Sequence, residues 1–511
     1  MALGFEYDVE IPRGRLLIGS VIFLLIVNEI YKRHKNPSRI PYENGRKWYE
    51  IGTGKAFERF TADPGGLVQS GLEKYQRAFY LFTDLGFQLV LSPSYSDVLR
   101  NDDRLHLGKA LGEDFMADVP GFGPMALTAA DDKIVPKAVK MMTRSLGNLI
   151  KPLVSEAEHA LERNWTNSSD WHQPPLGSSL CRIVAQVESR ILLNDDLCRD
   201  PAWLNIVEEI SVAMPLAARH LRPWPAFLRS KISWFLPSFH SLQAKLQKVN
   251  EILKPLLDRA QARGTMLSQE KKPDGARREF STVEWFFDAL NGSPSGIGAA
   301  QIAITVPSLD AMAMAISNVL CDLSTRPDLI QALRSEIIEV IGKEGLTKPS
   351  LQKLELMDSV LKESQRMTPV SYISMQRKAL EKIVLPDGLI IPKGTYLMVG
   401  ATHMRSPSVW PDGENFDGYR FLKLRQNSKE ASYLYTQTSS KHMGFGHGKQ
   451  ACPGRFFAEC QIKVIMVNIL LKYEFKITVP KEGRNIMFGH HIAPHPNIEI
   501  DVRRRQEEIT F

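Results

Sequence analysis

Residues 445 to 454 read FGHGKQACPG, a cysteine (Cys452) set among three glycines, a proline and a phenylalanine. Pro453 suits the first position of a helix. RFFAECQIKVIMVNILLKY follows with helical patterning, which predicts Cys452 at that helix's N-cap. Unpartnered backbone N–H groups and the positive end of the helix dipole converge at such a position, and both favour thiolate over thiol. Gly446, Gly448 and Gly454 permit tight turns and close approach of backbone to something bulky and flat. Phe445 can stack beside it. Four readings are open to this loop. The thiolate is a nucleophile with His447 as its base, or a zinc ligand, although only His447 and Cys460 lie near and at no standard spacing. It is an axial ligand to haem iron, where a thiolate pushes electron density toward O–O cleavage. Or the loop is a glycine-rich turn around an inert thiol.

The elements that must position the loop are mostly helical. Helical patterning dominates from about residue 130 to 370. Gln301 to Thr325 is long and nearly all apolar, which predicts a buried central helix. Thr305, Ser308, Asp310, Ser317, Asn318 and Asp322 argue against its being a membrane span. Ser350 to Met367 is amphipathic, with Leu351, Leu354, Met357 and Leu361 at helical spacing and Ser350 as N-cap. Arg377 to Gly400 alternates around Pro-Asp-Gly and Ile-Pro-Lys-Gly turns, as short strands do. Ile469 to Val479 passes from helix to strand, and Gly264 to Ser281 reads as an exposed loop. The expected fold is mainly α with a smaller β portion, in one large domain over residues 46–511.

The 511-residue chain is 43% hydrophobic and 24% charged, enough for a sizeable core. Its net charge of +7 favours an anionic membrane surface or an acidic partner protein. No basic block is interleaved with aromatics and no zinc-finger spacing occurs, which argues against nucleic acid. Five dispersed cysteines without a CxxC fit a reducing compartment better than a disulfide framework. Leu16 to Val27 is apolar but shorter than the roughly 20 residues of a full span; Tyr31 and snorkelling flanks can complete it. Bulky and charged residues follow, where a cleaved signal would show small ones. Residues 1–35 therefore read as an uncleaved anchor, with Lys32, Arg33, Lys35 and Arg39 biasing the body to the cytoplasm. The sequons at Asn164 and Asn167 would then stay unmodified. Residues 36–45, with Pro37 and Pro41, read as a linker.

Phe445, Gly448, Cys452 and Gly454 resemble the haem-binding signature of the cytochrome P-450 superfamily, Phe-x-x-Gly-x-Arg/His-x-Cys-x-Gly. The run through Arg455, Phe456, Phe457 and Ala458 resembles its filamentous-fungal branch. The resemblance covers nearly the whole chain. It implies an upstream Glu-x-x-Arg, matched by Glu363 and Arg366, and an arginine before the loop, matched by Arg420 in FDGYRF. One carboxylate bridging two guanidiniums would support the haem loop. The resemblance also implies haem b with Cys452 as axial ligand to the iron. Phe445, Gly446 and Gly448 would lie against it and Arg377 would face a propionate. The family's Arg or His two residues before the cysteine is Gln450 here, which can donate a hydrogen bond but carries no charge.

A second departure falls on the central helix. The family carries Ala/Gly-Gly-x-Asp/Glu-Thr there; the threonine hydroxyl helps deliver protons for dioxygen activation and the acid feeds it. The matching stretch is Pro307-Ser308-Leu309-Asp310-Ala311, with the acid present and the alcohol absent. Pro307 removes a helical N–H. Ser308 offers a hydroxyl nearly a turn from Ala311. The plainer reading of Asp310 is a buried acid with a basic partner. The resemblance implies a monomeric monooxygenase of the endoplasmic reticulum membrane, its catalytic domain facing the cytoplasm. It would draw electrons from NADPH through a separate flavoprotein reductase. Ala311 leaves open desaturation, ring formation or oxidative coupling without oxygen insertion, and also a non-catalytic haem protein. Leu309, Met312 and Met314, Phe122 in VPGFGPMAL, and Phe488 are candidate pocket walls. They suggest a bulky, mostly apolar small molecule of secondary metabolism, such as a terpenoid, an indole or a peptide-derived alkaloid. His490 and His491 read as surface residues.

Overall fold

The computed structural model describes residues 36 and 38–510, apart from 131–133, 194, 196, 268–280, 291–295 and 429–432. The expected anchor over 1–35 lies outside the described residues, as do 268–280 of the expected loop. In chain order the strands are β1 (Tyr42–Glu43), β2 (Ala78–Thr83), β3 (Gly86–Leu91), β4 (Leu105–His106), β5 (Ile373–Ala379), β6 (Ile383–Val384), β7 (Ile390–Ile391), β8 (Tyr396–Gly400), β9 (Tyr473–Thr478), β10 (Asn485–Phe488), β11 (His491–Pro494) and β12 (Glu499–Arg504). The first helices are α1 (Gly54–Ala62), α2 (Pro64–Tyr75), α3 (Ser96–Leu99), α4 (Leu107–Asp114), α5 (Gly123–Ala129), α6 (Ile134–Trp165), α7 (Leu176–Leu192), α8 (Pro201–Leu221) and α9 (Ala226–Ile232). The later ones are α10 (Pro237–Leu267), α11 (Thr282–Ala289), α12 (Ile297–Ser324), α13 (Pro327–Glu344), α14 (Lys348–Lys353), α15 (Glu355–Met367), α16 (Arg420–Ser428) and α17 (Arg455–Lys472). Helix takes 58% of the residues against about 13% for strand, so the fold is mainly α.

One mixed sheet runs in the order β1-β2-β3-β8-β5-β4, and β6/β7, β9/β12 and β10/β11 form antiparallel pairs. Tyr42 and Glu43 pair with Tyr80 and Leu81, so the segment expected as a linker already enters the sheet. The expected 264–281 loop also starts later, because α10 continues to Leu267.

Helix α12 is the central element, packed on α5, α7, α8 and α15. It starts at Gly296, whose φ of 88° is open to glycine without strain. Its length and apolarity are those of a membrane span, but most of its side chains are buried within the domain. The helix expected from Ser350 to Met367 is two helices. Thr347, not Ser350, caps the first: its side chain accepts from Ser350 N while Ser350 Oγ accepts from Thr347 N. This reciprocal pair starts α14 early, and the chain breaks at Leu354 (φ −74°, ψ 75°) before α15 begins.

Helix α15 is not amphipathic in the expected sense. Leu356 to Ser364 are all buried, Asp358, Ser359, Lys362 and Glu363 among them. Each buried polar group reaches a stretch that leads to Cys452. Asp358 accepts from Tyr435 N at 2.9 Å and from Arg425 at 2.9 Å, and Lys463 of α17 reaches it at 3.0 Å. Ser359 donates to Gly418 O. Lys362 donates to the carbonyls of Leu434 and Gln437, both at 2.8 Å.

The densest of these contacts joins Glu363, Arg366 and Arg420. Arg366 Nε and Nη2 donate to the two Glu363 oxygens at 2.7 Å, and Arg420 Nε donates to both at 3.1 and 3.2 Å. The Asp417 N–H completes the carboxylate's shell at 2.9 Å. The remaining N–H groups of the guanidiniums go to backbone. Arg366 donates to the carbonyls of Met404, Gly413 and Asn415, and Arg420 to those of Pro411, Asp412 and Asn415. Three charged side chains thus fix the course of residues 404–420. Replacing Glu363 by Ala strands two buried guanidiniums, which costs roughly 3–5 kcal/mol. Urea unfolding of the Glu363→Ala protein should show that loss; a change below about 1 kcal/mol would contradict it. Arg366→Lys should also be less stable than wild type, because an ammonium cannot reproduce the fork that meets both carboxylate oxygens.

Candidate active site

Residues 443–455 fold back on themselves. Gly446 N donates to Met443 O at 2.9 Å, and Cys452 N donates to Phe445 O at 2.8 Å. Gly448 has φ 82° and lies so close to the Arg100 carbonyl that a Cβ would collide with it, so only glycine fits. A short 3-10 turn over Gly448–Gln450 follows. Phe445 packs edge-on to Tyr435 with ring centroids 5.0 Å apart.

Two expectations drawn from the sequence are corrected here. Helix α17 begins at Arg455 with Gly454 as its N-cap, so Cys452 precedes the cap by two residues; Pro453 and Gly454 form a turn first. The expected thiolate preference is also outweighed. Desolvation pushes the Cys452 thiol pKa up, while the N–H groups of Gly454 and Arg455 and the Arg455 charge pull it down by less. Cys452 nonetheless has accessible surface. A metal cation at such a thiol would draw off its proton.

His447 does not serve as its base. Its Nδ1 meets Thr438 Oγ1 and its Nε2 meets Asp97 Oδ1, both at 3.1 Å. Among the described residues no group of His, Cys, Asp or Glu could hold a metal by itself, which leaves the zinc reading without ligands.

Arg377 is buried on β5. The β5/β8 register shifts between Ser374 and Arg377, with Met375 at φ 50°. Such a bulge re-aims the side chain beyond it. Arg377 Nη1 donates to Gln376 O at 2.8 Å, while Nε and Nη2 are buried with no partner among the described residues. Burial lowers its pKa to about 10. A buried guanidinium with two idle nitrogens fits a carboxylate, as a haem propionate would supply. Gln450 does not share that task. Its Oε1 accepts from Leu107 N and its Nε2 donates to Leu105 O, both at 2.6 Å. Both ends of the amide are engaged in tying the loop to the start of α4.

On α12, Pro307 is exposed and Ser308, Asp310, Ala311, Met314 and Ala315 are half-buried, in a helix otherwise largely enclosed. Leu309 and Met312 are fully buried in the main core, so they are packing residues and not pocket walls. Phe122 is likewise buried, its ring 6.2 Å from that of Phe239 on α10. Phe488 ends β10 opposite His491; its side chain lies outside the described residues. His490 is no surface residue: it is buried, with Nδ1 unpartnered among the described residues, and burial lowers its pKa to about 3. Asp310 has a serine, not a cation, beside it: Ser211 of α8, whose hydroxyl donates to Glu208 O at 3.0 Å. Ser308 turns to Glu188 of α7 and to its own helix, at Ile304 O and Thr305 O. Glu188 is a site residue that the sequence motifs do not single out, although a lone acid inside IVAQVESRIL is a readable signal.

Likeness to known proteins accompanies this geometry. The family profile for cytochrome P-450 matches residues 140–500. Cytochrome P-450 monooxygenase pyr3 of Aspergillus fumigatus is 39% identical over 470 residues, which is 92% of this chain and 90% of that protein. Cytochrome P-450 monooxygenase adrA of Penicillium rubens is 34% identical over 98% of this chain and 96% of its own. Fumitremorgin C monooxygenase of Neosartorya fischeri is 34% identical over 89% of each. The match spans the central helix, the Glu363 cluster and the Cys452 loop together, and the chain belongs to the cytochrome P-450 family of haem-thiolate oxidoreductases, which take electrons from NADPH through a reductase.

Proposed function

We propose that this protein is a monooxygenase that oxidises a bulky, mostly apolar small molecule in secondary-metabolite biosynthesis. Cys452 would hold the haem iron through its sulfur and Arg377 would partner one propionate. The observation that carries the reading is the idle, buried guanidinium of Arg377, set by the β5 bulge, in a protein whose glycine-boxed thiol is accessible but desolvated. When bound, haem would supply a centre for activating dioxygen with two electrons drawn from NADPH through the reductase. The protein's own residues do the rest. The N–H groups of Gly454 and Arg455 favour the thiolate. Glu363, Arg366 and Arg420 hold the segment that leads to the loop. Ala311, Met314 and Ala315 offer a small, apolar wall on α12, which suits an apolar substrate better than a charged one. Relatives named for secondary-metabolite oxidation, fumitremorgin C monooxygenase among them, support the substrate class; terpenoid, indole and peptide-derived alkaloid all fit it.

The second reading keeps the scaffold and omits oxygen insertion, giving desaturation, ring formation or coupling. It is favoured by Ala311, which carries no hydroxyl where the family has its threonine. Residues 1–35 anchor the protein in the endoplasmic reticulum membrane in this account, with the domain on the cytoplasmic side and the protein monomeric. Exposed Phe227, Trp234 and Phe235 on and after α9, and Trp48 and Ile51 near the N-terminal end, suit contact with lipid.

The test is chemical. The gene is deleted in the producing organism, and the compound that accumulates is compared by accurate mass with the compound that is lost. A difference of one oxygen supports monooxygenation, and a difference of two hydrogens supports the second reading. Ala311→Thr then separates their causes. It should raise product per NADPH several-fold with product identity unchanged; conversion of a dehydrogenated product into a hydroxylated one would mean that the alanine directs the outcome. Arg377→Ala removes the propionate partner, and a charged hydrogen-bonded contact contributes roughly 1.5–3 kcal/mol. Haem affinity, read as haem retained through gel filtration, should fall about tenfold; retention equal to wild type would contradict the assignment.

A further inference from the structure

The α7/α8/α12 interface holds two acids that the loop chemistry leaves unused. Glu188 is fully buried; its Oε1 meets Ser308 Oγ, and its Oε2 is buried with no partner among the described residues. Asp310, two residues beyond Ser308, lies beside Ser211 of α8, whose hydroxyl donates to Glu208 O at 3.0 Å. Ser211 is itself half-buried, so this end of the cluster has accessible surface. Burial raises Glu188 to about 8, the Ser308 bond opposing it and the Asp310 charge adding to it. Burial raises Asp310 to about 6. At neutral pH Glu188 therefore holds a proton. Asp310 is the charge that acts on it, and the following groups on α7 and on the helices packed against it are neutral or paired. On α7, the Cys181 thiol is pushed up to about 12 by burial, and Arg182 pairs with Glu208 of α8 at 3.1 Å. On α6, Glu156 is bound by Arg199 and Gln186.

We propose that Glu188 is a positioning residue that supplies protons through Ser308 to the Pro307 face of α12, in place of the hydroxyl that Ala311 lacks. The proposal rests on the haem-thiolate reading above. A protonated Glu188 donates to Ser308 Oγ while Ser308 donates to Ile304 O, 2.7 Å away. Rotation of the hydroxyl passes the Ser308 proton to an oxygen on the Pro307 side, a water or a substrate hydroxyl, as Glu188 gives its own proton to Ser308. The Glu188 carboxylate is then reprotonated from water by way of Asp310 and Ser211. One proton enters and one leaves, and nothing is oxidised or reduced. Pro307 cannot donate to the Ala303 carbonyl, so the helix lacks one backbone hydrogen bond beside Ser308.

The test uses the full-length enzyme in vesicles with its reductase and NADPH. Infrared difference spectra of wild type against Glu188→Gln should show a protonated carboxylic C=O band at pH 7. The band should shift in D2O and fade as pH rises through about 8. In Ser308→Ala it should persist to higher pH, because the bond that lowers the Glu188 pKa is gone. Peroxide released per NADPH should rise about tenfold in Glu188→Gln and in Ser308→Ala, with no further rise in the double variant and partial recovery in Glu188→Asp. Absence of the band at pH 7, or peroxide yields equal to wild type, overturns the relay. The thiolate-type Soret band of the reduced carbon monoxide complex is read on the same samples. If wild type lacks it, the haem-thiolate reading fails; if it is present while the infrared band is missing, only the relay fails. Should Glu188→Gln not fold, Ser308→Ala carries the test, since it removes one hydroxyl and nothing else.

Discussion

The Glu363 carboxylate is the point on which the rest of the site depends. It is fully buried between two guanidiniums, and its charge is tolerable only because both stay in place. The arginines in turn hold five backbone carbonyls between Met404 and Asn415. On the same helix, Asp358 and Lys362 hold the chain around Leu434 to Gln437. The loop that carries Cys452 therefore hangs from a row of buried charges on α15. A loop so anchored can present a thiol at a fixed place without a regular element of its own. Stability and site are coupled as a result: the residues that fix the site are the ones whose loss the fold tolerates least.

Much of this is legible in the sequence. Cys452 among its glycines, Glu363 with Arg366, and Arg420 in FDGYRF are short patterns whose residue types admit few alternatives. The apolar run of α12 and the strand alternation after Arg377 are equally direct, because periodicity follows from burial on one face or on all. What stays hidden depends on distant neighbours. Gln450 reads as a weak cofactor ligand in the sequence, and only the fold brings Leu105 and Leu107 to its amide. Ser350 reads as a cap because the true cap, Thr347, lies just outside the apolar pattern. Spacing alone does not sort buried Leu309 and Met312 from half-buried Ala311, Met314 and Ala315, since every face of α12 is apolar. His490 reads as a surface residue because hairpins usually lie there, whereas its own side chain is buried and that of His491 stays exposed.

Burial also explains where sequence logic about charge falls short. A helix N-terminus favours a thiolate in principle, yet desolvation of Cys452 is the larger influence. The same force acts on Glu188, Asp310 and Arg377, raising the acids and lowering the guanidinium. Each of these groups is left at an energetic disadvantage by the protein alone. A cofactor that brings a cation to the thiol and a carboxylate to the arginine relieves two of those disadvantages at once. The acids keep theirs, and a buried carboxyl poised near neutrality is suited to moving protons. The site thus combines a rigid support, built from fully paired charges, with a few unpaired groups whose partners come from outside the chain.

The most direct test of this account is the absorption spectrum of the reduced carbon monoxide complex, measured on the full-length protein and on Cys452→His. The wild type should show a red-shifted, thiolate-type Soret band and the variant should lose it, with haem still bound through Arg377 and the imidazole. A band that survives the substitution would show that Cys452 is not the ligand, and the assignment of the site would fall with it.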